Sequence, residues 1–304
     1  MNTIELRHEG PAGWITLNRP EKRNAITLEM IDEIMAALEE CERRRRAGEL
    51  RVLVLTGAGT VFCSGMDLSM LKEISEASAG HSARAATAQA KTTPARTSAA
   101  PRPNNAHTSP AGKAGEPEDD ARRMAELFAA LYRFPAPTIA MVQGHAIAGG
   151  CGLASVCDFT LTVPEAKFGY TEVRIGFMPA LVTVYLLRLT GEKRVRDLLL
   201  TGRIFSAHEA LAWGLVTEVV PADQLLPRTQ ELIAELLHNS PGSLTETKRL
   251  IERLASQPDL EKALEAAARA NTAIRQTADF HEGVTSFLEK RTPIWRHGRS
   301  ETNS

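Results

Sequence analysis

Thr138-Ile-Ala-Met-Val142, followed by Gly144-His-Ala-Ile-Ala-Gly-Gly-Cys-Gly-Leu-Ala154, is the stretch on which the reading of this chain turns. Its first part is a near-continuous apolar run, the pattern of a strand buried in a parallel sheet. Its second part is a glycine-rich turn leading into a helix. The same arrangement occurs upstream. Arg51-Val-Leu-Val-Leu55 runs into Thr56-Gly57-Ala58-Gly59, and a turn ending in Phe62-Cys-Ser-Gly-Met-Asp-Leu68 follows. A turn at a helix N-terminus presents backbone N–H groups that have no intrahelical partner. Two such turns facing one point would make an oxyanion hole, which stabilises negative charge developing on a carbonyl oxygen. Taken alone, each turn equally suits a packing role, because glycine turns after buried strands let backbones approach closely.

Working outward, other glycine-turn chemistries fail. GxGxxG is absent from both turns, which disfavours a dinucleotide fold, and the P-loop signature is missing. Ser64 is not in a GxSxG elbow, since Phe62 occupies the first position. The four cysteines, Cys41, Cys63, Cys151 and Cys157, form no CxxC pair, and the histidines are scattered. This argues against a structural zinc site and for free, mostly buried thiols.

The flanking pattern is α/β. Thr3 to Arg7 and Gly13 to Asn18 are strand candidates around a Gly10-Pro11-Ala12-Gly13 turn. Thr27 can cap a helix whose apolar side is Leu28, Ile31, Ile34, Met35, Leu38 and Cys41. Met124 to Tyr132 reads as a helix and Phe159 to Val163 as a third buried strand. The C-terminal third reads as helical. It has a capping box at Ser206-Ala-His-Glu209, a stop at Gly214, and amphipathic segments at Leu225–His238, Ser243–Ala255 and Leu260–Arg275.

The 304 residues carry 36 Lys and Arg against 37 Asp and Glu, a net charge of −1. This argues against a general nucleic-acid or anionic-membrane binder. No apolar run approaches the ~20 residues needed to cross a bilayer. The start, MNTIELRHEG, has no secretory signature. The expectation is a cytoplasmic protein. One segment departs from the average composition. Residues 75–123 contain no Val, Ile, Leu, Met, Phe, Trp, Tyr or Cys. Between His81 and Lys113 the only charges are Arg84, Lys91, Arg96, Arg102 and Lys113. Alanine burial cannot offset the ordering entropy of such a stretch, so a disordered insertion is expected.

Taken together, the motifs resemble the crotonase superfamily, the enoyl-CoA hydratases and isomerases. The matching pieces are Leu17-Asn-Arg-Pro-Glu-Lys-Arg-Asn-Ala25, Phe62–Leu68, Ala146–Ala154 with Cys157-Asp158, and Ala166-Lys-Phe-Gly-Tyr-Thr-Glu-Val-Arg-Ile-Gly176. Leu198–Gly202, Ala207–Ala210, Gly214-Leu-Val216 and Glu282–Arg291 continue the match in the family's order. The resemblance implies a spiral of ββα turns over residues 1–200, interrupted by 75–123. Residues 201–304 would form a helical region that helps build trimers, often paired as hexamers. It also implies an acyl-CoA thioester as ligand, with no metal and no redox cofactor.

By position in the family, the N–H groups of Met66 and Gly149 would hold the thioester oxygen beside Gly65. Asp67 and Leu68 would lie along the CoA groove, and Arg23 to Ala25 near the nucleotide. Phe287 and Lys290 match a C-terminal pair that contacts CoA. Asp158 is assigned to structure. Hydratases of the family usually carry two glutamates. Here the first position is Gly152 and the second is Glu172. A single carboxylate suffices to move a proton between two carbons, whereas water addition is served more naturally by two. The missing first glutamate matches the family's isomerases, but the wider run Gly169–Leu181 is similar to sequences called enoyl-CoA or methylglutaconyl-CoA hydratases, so the resemblance implies a hydratase with Glu172 as acid/base, with a 3-enoyl to 2-enoyl isomerase as the alternative. A non-catalytic acyl-CoA or RNA-binding homologue is a further alternative, for which Arg43 to Arg46 beside the basic insertion would be the signal. The plain reading of those arginines is a solvated helix end.

Overall fold

The computed structural model describes residues 1–72, 76 and 119–296. Strands β1 (Ile4–Glu9) and β2 (Ala12–Leu17) form an antiparallel hairpin. Helix α1 (Leu28–Arg46) follows, capped by the Thr27 hydroxyl, which accepts from Met30 N. Its apolar positions Ile31, Ile34, Leu38 and Cys41 are buried as the helical spacing requires. Then come β3 (Val52–Gly57), buried along its whole length, and the short β4 (Val61–Cys63). After the undescribed stretch, α2 (Asp119–Tyr132) leads to β5 (Thr138–Val142), β6 (His145–Ile147), α3 (Gly149–Ser155), β7 (Phe159–Thr162) and β8 (Lys167–Gly169).

Two sheets result. One runs β1-β2-β3-β5-β7-β10 and the other β4-β6-β8-β9. Each successive pair, β3 then β4, β5 then β6, β7 then β8, gives one strand to each sheet in parallel register. This is the ββα spiral. Part of its physical basis is visible in the sequence: β3 and β5 are near-continuous apolar runs, and Gly59 and Gly144 lie in the turns that redirect the chain to the second sheet, whereas β7 reaches β8 through Val163–Ala166 without a glycine.

Helices α4 (Ala180–Leu189) and α5 (Glu192–Thr201) precede β9 (Ile204–Ser206), which closes the second sheet antiparallel to β8. Helix α6 (Ala207–Ala212) begins with the expected capping box between Ser206 and Glu209. Strand β10 (Glu218–Val219) joins the first sheet beside β7. Residues just beyond 200 thus still belong to the two sheets. The helical region proper begins at α7 (Leu225–Leu237) and continues with α8 (Pro241–Leu254), α9 (Leu260–Ile274) and α10 (Ala278–Leu288).

One boundary is corrected. Composition assigns residues 75–123 to the insertion, but 119–123 are the first turn and more of α2. Acidic residues at a helix start complement its dipole, and the Arg123 guanidinium pairs with Asp32 on α1. The expected disorder of residues 75–118 falls, apart from Glu76, outside the described residues. The arginine cluster at the end of α1 is neutralised locally. Arg43 pairs with Glu40, Arg45 and Arg46 with Glu42 at 2.6 and 2.8 Å, and Arg44 with Glu49 at 3.3 Å. This is a paired helix end. No helix among the described residues is long and apolar enough to cross a membrane.

Candidate active site

The two glycine turns meet. A Cβ added to Gly65 would lie 2.8 Å from Ala148 Cβ and 3.3 Å from Gly149 N. Gly65 takes a positive φ of 88°, and only glycine tolerates both that backbone and that contact. Gly150 has a similar constraint, since its Cβ would meet the Cys63 carbonyl at 2.4 Å. The packing and functional readings of these glycines therefore coincide. The turns are held edge to edge because side chains have been removed between them.

Several bonds fix the first turn. Ile26 N donates to Gly65 O at 2.8 Å, and Asp67 N to Ile26 O at 2.9 Å. Met66 N lies between these two bonded positions, and among the described residues it has no hydrogen-bond acceptor. Gly149 N opens α3 and likewise has none. Its predecessor Ala148 is held at φ 50°, ψ −125°, a backbone that alanine rarely adopts, while Ala148 N donates to Gly169 O at 2.7 Å. Buried Asn24 braces the loop below. Its amide nitrogen donates to Ala58 O and Val61 O at 2.9 and 2.8 Å, and its oxygen accepts from Arg19 N at 2.9 Å. Arg23 and Asn24 both sit in the left-handed region, which Asn tolerates better than most residues.

Both turns open onto a cavity of about 620 Å³. Its lining includes Arg23, Ala25, Met66, Asp67, Leu68, Gly149 and Glu172, so most of the residues singled out from the sequence converge there. Gly65 lies behind Met66 and shapes the turn. Asp67 is already engaged. Its carboxylate accepts from Ser69 Oγ and N at 2.8 and 3.0 Å and from Arg19 at 3.2 Å. These Ser69 and Arg19 bonds hold its pKa below the usual value. Asp67 thus caps the helical stretch 68–72. Phe287, 82% exposed, and Lys290 lie at the end of α10 and do not line the cavity. The fold of one chain does not bring this pair to the other residues, because α10 packs on α8.

Glu172 opens a short 3-10 turn, Glu172–Ile175, ended by Gly176 at φ 77°. Burial raises its pKa, and its Oε2 is buried without a hydrogen-bond partner among the described residues. A backbone hydrogen bond from its own N–H opposes the rise only in part, and a partly desolvated carboxylate with a free oxygen facing a cavity is poised to take up a proton. The backing is rigid. Tyr170 is fully buried and its hydroxyl shares a 2.8 Å bond with Ser155 Oγ, which also donates to Cys151 O at 2.8 Å. The cysteines are not competitors for the chemistry: burial pushes the Cys63 and Cys151 thiols up to about 12. Asp158 is structural. It accepts from Thr138 N and Oγ1 at 2.8 and 2.9 Å and from Lys248 at 2.6 Å.

Position 152 differs from a simple vacancy. A Cβ there would lie 2.6 Å from Phe128 Cζ and 2.7 Å from Val182 Cγ1. Apolar side chains from α2 and α4 hold the space, so adding Glu at 152 would not by itself restore a second carboxylate. The sequence reading missed Phe128, Val182, Met124 and Asp120 as lining residues. The apolar spacing of Met124, Leu127, Phe128 and Leu131 marks a buried face, but nothing in it says which turn meets Gly152.

Comparisons with known proteins identify the fold and the family. The fold is that of the crotonase group. The family model described as enoyl-CoA hydratase/isomerase matches residues 9–97 and 111–298, and the chain belongs to that family of enzymes. A Thermus thermophilus protein bearing an enoyl-CoA hydratase name is 37% identical, over 94% of this chain and 97% of its own. The 2,3-dehydroadipyl-CoA hydratase of Escherichia coli is 29% identical over 93% of this chain and 94% of its own. Among solved structures, an enoyl-CoA hydratase from Shewanella pealeana has a TM-score of 0.80 at 26% identity, covering 96% of both chains. Pseudomonas aeruginosa AtuE has a TM-score of 0.76 at 31% identity, covering 97% of this chain and 99% of its own.

Proposed function

We propose that this enzyme hydrates a 2-enoyl-CoA, with the Met66 and Gly149 N–H groups as oxyanion hole and Glu172 as acid/base. The observation that carries the reading is the convergence of two unpartnered backbone N–H groups and one partly desolvated carboxylate with an unpartnered oxygen on a single cavity. The N–H pair holds the thioester oxygen and stabilises the enolate that forms when water adds to the double bond. Glu172 takes the proton from that water and then returns it to the adjacent carbon, acting first as base and then as acid. Its raised pKa suits both steps. Arg23 and Lys22, on the cavity's edge, supply positive charge for the CoA phosphates. Exposed Phe280, Val284, Phe287 and Leu288 on α10 support self-association, as a trimer or hexamer, in which the C-terminal pair meets CoA across subunits.

A second reading, 3-enoyl to 2-enoyl isomerisation, is favoured by one observation: Phe128 and Val182 occupy the space where a second carboxylate would project. One glutamate can remove a proton from one carbon and deliver it to another. The test is to supply 2-enoyl-CoA and 3-enoyl-CoA separately and measure 3-hydroxyacyl-CoA. Its appearance from 2-enoyl-CoA supports the hydratase. Double-bond migration alone makes the enzyme an isomerase, and no conversion of either ester overturns both.

A further inference from the structure

Gly149 and Gly152 lie one turn apart on the same face of α3. Both turn bare backbone toward α2. Met124 Cε would be 3.3 Å from a Cβ on Gly149, and Phe128 Cζ 2.6 Å from a Cβ on Gly152. Met124 and Phe128 are themselves one turn apart on α2, so the two helices touch through a matched pair of large and absent side chains. The Phe128 ring therefore stands one helical turn from the Gly149 N–H. It is 1% exposed, yet it lines the cavity. Tyr185 meets it edge-on, with centroids 6.1 Å apart and planes at 87°, and Tyr185 packs in turn on Tyr132 at 5.1 Å. These contacts pack the ring on its edge and against Gly152. Val182 closes the same space from α4. The neighbouring lining is apolar, with Phe177, Met178 and Leu181.

We propose that Phe128 is a specificity-determining residue. Its ring limits the width of the cavity beside the Met66 and Gly149 turns and selects acyl-CoA thioesters with an unbranched hydrocarbon chain next to the carbonyl. This selection rests on the oxyanion-hole reading given above, which places the thioester carbonyl at those turns. A methyl branch on the carbon beside the carbonyl meets the ring, and a single methylene in an apolar pocket changes selection by about 10- to 200-fold.

Two saturated ligands, butanoyl-CoA and 2-methylbutanoyl-CoA, read the selection by calorimetry without any turnover. The wild-type protein is expected to bind the straight ester at least about 10-fold more tightly. Phe128→Ala should narrow that ratio to about 3-fold or less by gaining affinity for the branched ester. Phe128→Leu, a milder change that carries the test should the Ala variant not fold, should fall between. Equal binding of the two esters by wild type overturns the proposal, as does a ratio unchanged in both variants. Kinetics with the matching 2-enoyl esters separate the two readings. Selective binding with no turnover of any enoyl-CoA overturns the catalytic reading and leaves the selection standing. No binding of either ester overturns both.

Discussion

Gly152→Glu is the substitution that would restore a family-like pair of carboxylates, and the structure predicts that it fails. The Cβ alone would lie 2.6 Å from Phe128 Cζ and 2.7 Å from Val182 Cγ1, well inside van der Waals contact. Overpacking of this kind costs about 1–3 kcal/mol. Replacing glycine inside a helix returns about 1 kcal/mol. A carboxylate driven between Phe128 and Val182 adds several kcal/mol, reduced by whatever part reaches the cavity. The net expectation is a loss of about 3–5 kcal/mol, or a drop in Tm of roughly 6–20 °C for a chain of this size. Urea and thermal unfolding followed by circular dichroism measure it. Phe128→Ala removes one of the two colliding groups. Combined with Gly152→Glu, it should be more stable than the sum of the single losses by about 1 kcal/mol or more. Strict additivity would refute the claim that Phe128 holds the space. So would a Gly152→Glu variant as stable as wild type with faster hydration of 2-enoyl-CoA.

Glu172 also predicts a pH-dependent stability. Its folded pKa lies above 4.5, so between 4.5 and the folded value the native state holds a proton that the unfolded chain has lost. Stability therefore falls as pH rises through that window. Glu172→Gln should be more stable than wild type above it, and the advantage should vanish below about pH 4.5, as read by urea midpoints across pH. Asn24→Ala orphans Ala58 O and Arg19 N, while Val61 O keeps Gln143 Nε2 at 3.1 Å, and should cost roughly 2–6 kcal/mol in urea unfolding, at about 1–3 kcal/mol per orphaned group. Asp158→Ala removes the acceptor of Thr138 and the ion-pair partner of Lys248, which keeps Ala136 O at 3.4 Å. It should lower stability by about 2 kcal/mol while leaving kcat within about 2-fold, because Asp158 is not among the cavity's lining residues.

What the sequence showed and what it hid follow from the range of each interaction. Runs such as Arg51–Leu55 and Thr138–Val142 are decided by burial on both faces, a property of the residues themselves, and both are strands. The Ser206 capping box and the Thr27 cap are local chemistry, and both form. The convergence of Met66, Gly149 and Glu172 was legible only because the motifs resembled a family. No spacing along the chain says that Gly65 and Ala148 touch. Phe128 was invisible for the same reason. Its meeting with Gly152 depends on the angle between α2 and α3, which the helical pattern of α2 does not set. The two-residue strand β10 is too short to show a period, and the start of α2 was masked by a segment whose composition resembles a linker.

The central claim is that Glu172 is the proton-transferring group of an acyl-CoA site built on the two glycine turns. Turnover of 2-enoyl-CoA and 3-enoyl-CoA by Glu172→Gln, measured beside calorimetric binding of a saturated acyl-CoA, tests it most directly. The account predicts that kcat falls by about 100-fold or more, the scale of a lost general acid/base, while the ester still binds within about 3-fold of wild type. Near-normal turnover in Glu172→Gln would contradict it.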